Sequence, residues 1–144
     1  MNKRIGNERG AALLETAITI PLILAICVGI FEFGRAYQTW QVITNAAREG
    51  ARVAILADTT DTKVTDTVKA YMRSGALPEE SVGAATVTVN RTVPFGENTA
   101  SMITVTYPFD FTVLNPVMRL LNGESTTGSG TTMMSSSALM RNES

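Results

Sequence analysis

The chain has 144 residues, a formal net charge of −1 and 12 Lys and Arg residues scattered along it, so it offers no concentrated basic surface of the kind that tracks nucleic-acid phosphates. It contains no His and a single Cys, which excludes His-based triads, imidazole metal ligation and an internal disulfide. Most routes to catalysis close on composition alone: no enzymatic site, no metal, no cofactor and no nucleic-acid partner is expected.

Residues 1–10, "MNKRIGNERG", set Lys3, Arg4 and Arg9 against Glu8. Beyond them, no charged residue occurs from Thr16 to Phe31, and Pro21 to Phe31 is apolar without interruption. The stretch from Thr16 to Phe31 rises about 24 Å as a helix, and Ala11 to Leu14 bring it near the ~30 Å hydrocarbon core of a bilayer. The spacing predicts one membrane span over residues 11–33, lipid around it, the basic end in the cytoplasm and the remainder on the other side. Pro21 cannot donate to the carbonyl of Ala17, so local loosening is expected there.

The helical pattern continues past the span. No Pro occurs between Gly34 and Ala57, and Ala36, Trp40, Ile43, Ala47, Gly50 and Ala54 recur at spacings of four and three. One helix from about Ala11 to about Ala57 is predicted, with residues 34–57 outside the membrane and Tyr37 and Trp40 at the interface. Glu32 and Arg35 stand at i, i+3, as do Glu49 and Arg52. Each pair reads either as a surface ion pair worth at most about 0.5 kcal/mol or as a contact with another subunit. Ala46, Gly50 and Ala54, with Ala47 and Ala51 alongside, form a small-residue stripe. It permits close approach of another helix, or of this chain's own sheet.

Residues 58–144 read as a small head. Asp61 is expected to cap a short helix burying Val64, Val68, Tyr71 and Met72, with Gly75 and Pro78 stopping it. Glu79 and Glu80 read as a solvated loop, and the spacing of Asp58, Asp61 and Asp66 matches no calcium loop. The period then becomes two: Ala85, Val87 and Val89, then Ile103, Val105, Tyr107 and Phe109, predict a hairpin closed across residues 94–98. Asn115 and Pro116 suit the start of a helical turn carrying Val117, Leu120 and Leu121. After the loop "NGESTTGSG", Met134, Ser136, Ala138 and Met140 predict one face of a third strand. The fold class expected is α+β: a long N-terminal transmembrane helix packed on a small antiparallel sheet of about three strands.

Glu15 poses the remaining question, since a carboxylate at a hydrocarbon boundary costs several kcal/mol unless paired or able to reach headgroups. One answer is snorkelling. Another follows from its distance to Gly10: a cut there would make Ala11 a new ammonium and Glu15 the fifth residue after the cut, so that the two charges can neutralise each other within one helix or between subunits. A short basic leader ending in Gly, Glu at the fifth position and an apolar helix resemble the type IV prepilin signal. More specifically, "RGAALLE", Pro21, "FEFGR" (31–35) and "NAAREGAR" (45–52) resemble the TadE-like segment of tight-adherence (Tad, or Flp) pilus systems, over roughly residues 8–57.

The resemblance implies processing between Gly10 and Ala11 by a membrane-embedded aspartic prepilin peptidase. It further implies assembly with other Tad pilins or pseudopilins on an inner-membrane platform, through Glu15, Glu32, Arg35, Ala46, Arg48, Glu49, Gly50, Arg52 and Ala54. Major pilins usually carry an aromatic residue just after the Glu and are much shorter. Here Thr16 and Ala17 follow Glu15, and a head domain follows the helix, which favours a minor pilin or pseudopilin that primes or joins a filament for adhesion or secretion. The alternative is an uncleaved single-pass membrane protein whose head binds a ligand or serves as a scaffold. Ile26 before Cys27 does not fit a lipoprotein signal, and Cys27 is expected to be a small buried side chain.

Overall fold

The computed structural model of the chain describes residues 5–56, 58–96, 98–113, 115 and 131–142, with side chains from residue 10 onward. Helix α1, Ile5–Ala54, runs 50 residues through Pro21 without a break in assignment, about 75 Å at helical rise. It ends three residues sooner than the periodicity suggests. Ile55 and Leu56 form a turn closed by the Leu56 N–H on the Val53 carbonyl, and Asp58 then adopts a left-handed φ of 61°.

Among the described residues five further elements make up the α+β head. Helix α2 is Asp61–Ser74, a short α3 is Glu79–Ala84, the hairpin strands are β1, Thr86–Phe95, and β2, Asn98–Asp110, and β3 is Thr131–Arg141. The three strands form one antiparallel sheet in the order β1-β2-β3. Gly96 takes the positive φ of the hairpin turn, at 63°. The third strand presents the face expected of it, with Met134, Ser136, Ala138 and Met140 half-buried and their neighbours exposed.

Three local expectations are corrected. Thr60, not Asp61, caps α2, its Oγ1 accepting the Lys63 N–H at 3.3 Å. Asp61 opens the helix instead and carries an ion pair. Tyr71 lies on the exposed side, because the buried stripe of α2 is the strict four-residue series Val64, Val68 and Met72. Glu79 and Glu80 form the first turn of α3, where carboxylates favour the helix dipole. The helical turn expected at 115–121 and the loop at 122–130 lie, apart from Asn115, outside the described residues.

The core forms where the outer half of α1 meets α2 and the inner face of the sheet. Ile43, Ala46, Ala47 and Ala51 from α1 pack with Val64, Val68 and Met72 from α2 and with Ile103, Val105, Tyr107 and Phe109 from β2. The buried face of α1 is rotated slightly from the one expected: Thr39 is 6% exposed, whereas Trp40 is 46% exposed. Stepping back four residues from Ile43 gives Thr39, and that step keeps the face.

Gly50 marks the closest approach. A Cβ there would lie 2.5 Å from Val68 Cγ2 and 3.3 Å from Ile103 Cγ2, and Val68 is fully buried with a β-branched side chain that has little freedom to yield. Gly50→Ala is therefore expected to destabilise the head by about 1–3 kcal/mol. Gly34→Ala, where a Cβ would meet nothing within 4 Å, should be neutral or stabilising by up to about 1 kcal/mol. Thermal or chemical denaturation of the full chain in detergent separates the two.

Candidate functional site

Two parts of α1 differ sharply in their surroundings. From Leu13 to Phe31 its large apolar side chains are exposed within the chain itself, and the helix is long and apolar enough to cross a membrane. Cys27 lies in this part and is exposed, not buried as expected. Gly10, Ala11 and Glu15 are also exposed, one turn apart along the same helix. The Thr16 and Thr19 hydroxyls donate back to the carbonyls of Ala12 and Glu15 at 2.8 and 2.7 Å. These bonds satisfy the two hydroxyls within an apolar run. The Glu15 carboxylate has no hydrogen-bond or ion-pair partner among the described residues.

The change of surroundings comes at Glu32 and Arg35. Glu32 is wholly buried. One carboxylate oxygen accepts the Val113 N–H at 2.8 Å, and the other accepts from Arg35 Nη1 at 3.1 Å. Arg35 also donates to Thr112 Oγ1 at 2.6 Å and to the Asp110 carbonyl at 3.4 Å. Its guanidinium lies 5.3 Å from the centre of the Phe109 ring, which packs edge-on against Phe111. The first pair in the helix is thus a clasp that holds the end of β2 to α1 where the exposed apolar stretch gives way to the head. Just below it, Pro21, Leu24, Ala25, Val28, Gly29, Phe33 and Val113 line an apolar groove of about 500 Å³.

The small-residue stripe has a clear structural place: Ala46, Gly50 and Ala54 face this chain's own head, where α2 and β2 cover them. Glu49 and Arg52 form a surface pair, with Arg52 Nε 2.9 Å from the carboxylate. Arg48 is exposed and bonds Asn45 Oδ1 at 3.3 Å. The sequence therefore gathers Glu32 and Arg35 into one cluster and Ala46, Gly50 and Ala54 into another, while Arg48, Glu49 and Arg52 remain on the outer surface.

Two residues that tie the head together went unnoticed in the sequence. Arg91 on β1 donates to the Ala54 carbonyl at the end of α1, to the Thr59 carbonyl and to Asp61 Oδ1, at 2.7, 2.7 and 2.8 Å. Asn142 accepts from Ser101 and donates to the Arg91 carbonyl and to Thr99 Oγ1. Neither has a motif around it. A lone Arg in an alternating strand gave the only signal, since an extended cation in a half-buried row needs a partner.

Among the described residues a single helix qualifies as a membrane span, and because it also walls the α+β head, the arrangement is a stalk and head with one candidate anchor. Residues 10–52 of that helix match the family model described as TadE-like protein. No curated protein and no solved structure matches the chain. The matched segment begins at Gly10 and takes in Glu32, Arg35 and the small-residue stripe as far as Ala51. It agrees with the resemblance read from "FEFGR" and "NAAREGAR", and the family is a structural, non-enzymatic one associated with Tad pili.

The clasp and the surface pair should separate by measurement. In double-mutant cycles, Glu32→Gln with Arg35→Lys should show coupling above about 0.5 kcal/mol, because removing one partner strands the other beside a buried N–H. Glu49→Gln with Arg52→Lys should show at most about 0.5 kcal/mol. Hydrogen bonds from Arg52 and Arg73 hold Glu49 and Glu79 below the ordinary carboxylate value of 4.5. A depressed carboxylate adds stability above its unfolded pKa and loses it as pH falls through the folded value. Part of the stability should therefore be lost on acidification below about 4.5, and Glu49→Gln and Glu79→Gln should each flatten that limb of a pH–stability curve.

Proposed function

We infer that the chain is a minor pilin or pseudopilin of a Tad-type pilus, anchored by α1 with its N-terminus in the cytoplasm, cut between Gly10 and Ala11, and engaged with other pilins and the inner-membrane assembly platform. The observation that carries this reading is the family match over residues 10–52, which starts at the residue where the leader would end. The division of α1 supports it: the half that bears the match's apolar stretch is left bare by the chain's own fold. In that half a filament neighbour replaces lipid, and Glu15 answers the ammonium of Ala11. The head, closed on its own core, then faces other minor pilins or the filament tip.

Under this reading the small-residue seam is spent within the chain, so docking falls to the bare apolar stretch, to Glu15, to the exposed Arg48 and Arg52 and to the half-buried Glu49 between them. The prepilin peptidase acts on this chain as a substrate, and the chain needs no active site of its own. Because the Gly10–Ala11 bond lies inside α1, the peptidase must unwind about a turn of helix to reach it. Gly10 lowers that cost, being the poorest helix former after Pro.

Mass spectrometry of the protein from its native membrane is expected to find Ala11 at the N-terminus. Gly10→Val should cause the uncut form to accumulate and piliation to be lost. An N-terminus at Met1 or Asn2 in the wild type would sink the processing claim and leave the uncleaved single-pass reading.

A further inference from the structure

The two edges of the sheet are built differently. On β1 the register slips between Asn90 and Val93, Pro94 interrupts the donors, and Arg91 is tied to α1 and to the start of α2. Each of these features spoils an edge for further pairing. Strand β3 has none of them. From Thr131 to Met140 it carries no charge, no Pro and no Gly, and every residue from Thr131 to Arg141 pairs with β2 in unbroken register.

The phase of that ladder says which groups are free. The Asn142 N–H donates to the Thr99 carbonyl at 3.0 Å. By the alternation of an antiparallel ladder, the main-chain groups of Met134, Ser136, Ala138 and Met140 then face β2, and those of Met133, Ser135, Ser137 and Leu139 point outward. Among the described residues nothing bonds to this outward row.

One flank of α1 stands beside the edge, since Ser136 Oγ donates to Thr44 Oγ1 at 3.0 Å. One turn below Thr44 is Trp40, with Tyr37 beside it at a ring distance of 6.3 Å, and both rings are exposed. One turn above is Arg48, and Arg141 ends the strand. Among the described residues neither guanidinium has a carboxylate within ion-pair distance.

The direction of β3 decides what can pair with it. It begins opposite Asp110, whose carbonyl Arg35 holds near the apolar stretch, and it ends beside Asn142, which bonds Arg91 at the far end of α1. Strand β3 therefore runs away from the span, as do α1 and β1. A second copy in the same membrane offers β1 or β3 only in parallel, the weaker pairing, and antiparallel β3–β3 pairing about a two-fold axis would point the two spans in opposite directions.

We propose that the outer edge of β3 is a strand-addition site for an extended segment of a different polypeptide. The segment runs antiparallel to β3, toward the membrane, and its membrane-distal half carries acidic residues against Arg48 and Arg141. Main-chain bonds to the outward row supply affinity. The aromatic shelf of Tyr37 and Trp40 and the two cations supply selectivity. The proposal rests on the membrane-anchored part of the functional reading only to exclude a second copy, and it does not depend on cleavage at Gly10.

The test is photo-cross-linking of the full chain in its native cells, with p-benzoylphenylalanine placed at Met133 or at Leu139 and the captured peptide sequenced. Both positions should capture one segment of one other polypeptide, the residue reached from Leu139 lying about six residues N-terminal to the one reached from Met133, as one-to-one antiparallel pairing requires. Ser135→Pro removes one outward N–H and should cut both yields about tenfold, equivalent to one or two main-chain bonds, whereas Ser135→Ala should not. Unchanged hydrogen exchange at Ser136 and Ala138 checks that the β2–β3 ladder survives the proline. The reverse order of captured residues, a product formed by two copies of this 15.4 kDa chain, the absence of product, or undiminished yield in Ser135→Pro with its ladder intact would each overturn the proposal. If the proline variant unfolds, the order of captured residues decides alone.

Discussion

Everything in the head depends on how closely α1 approaches the elements that cover it. Ala46, Ala47, Gly50, Ala51 and Ala54 strip one face of the helix nearly to its backbone, and α2 and β2 close onto that face with Val64, Val68 and Ile103. A small domain has limited apolar area to bury. Close backbone approach compensates by raising the density of dispersion contacts along the seam. The same approach fixes the head's height on the helix, because Gly50 admits Val68 at one level only.

The two ends of the seam are held by polar devices of different kinds. At the far end, Arg91 takes up the exposed carbonyl of Ala54 and joins it to Asp61, so the C-terminus of α1 and the start of α2 are tied through one guanidinium. At the near end, Glu32 is buried and is satisfied by Arg35 and the Val113 N–H. A buried carboxylate is weak support for stability in itself, because desolvation offsets most of the attraction. Its effect lies in geometry, since a backbone N–H on the segment after β2 must meet a side chain just above the apolar stretch.

The sequence was legible wherever a single period governed a segment. The long helix, the buried series of α2 and the alternation of β2 and β3 follow from spacing, because each is set by contact with one surface. Legibility failed where two periods or two partners competed. Trp40 and Thr39 both fit a helical face near Ile43, and only the position of the sheet selects Thr39. The Glu32–Arg35 pair has the i, i+3 spacing of any surface pair, and its burial comes from residues 109–113, about eighty positions away. Thr60 and Asp61 are both good caps, and Arg91 draws Asp61 into another bond. The small-residue stripe was equally open to a foreign helix and to the chain's own sheet; Val68 and Ile103 occupy that space.

Sharing one helix between two environments also explains how the surface is divided. Below the clasp the apolar face of α1 is left uncovered, and above it the face opposite the seam carries Arg48, Glu49 and Arg52. The sheet must then stand with its strands along α1 in order to use the seam, which gives every strand a direction relative to the span. Under the proposed anchoring by α1, that alignment makes the two sheet edges inequivalent to anything that shares the membrane. The edge at β1 is consumed by the Arg91 tie that closes the top of the head. The edge at β3 lies beside the exposed flank of α1, where nothing among the described residues takes up its outward donors and acceptors.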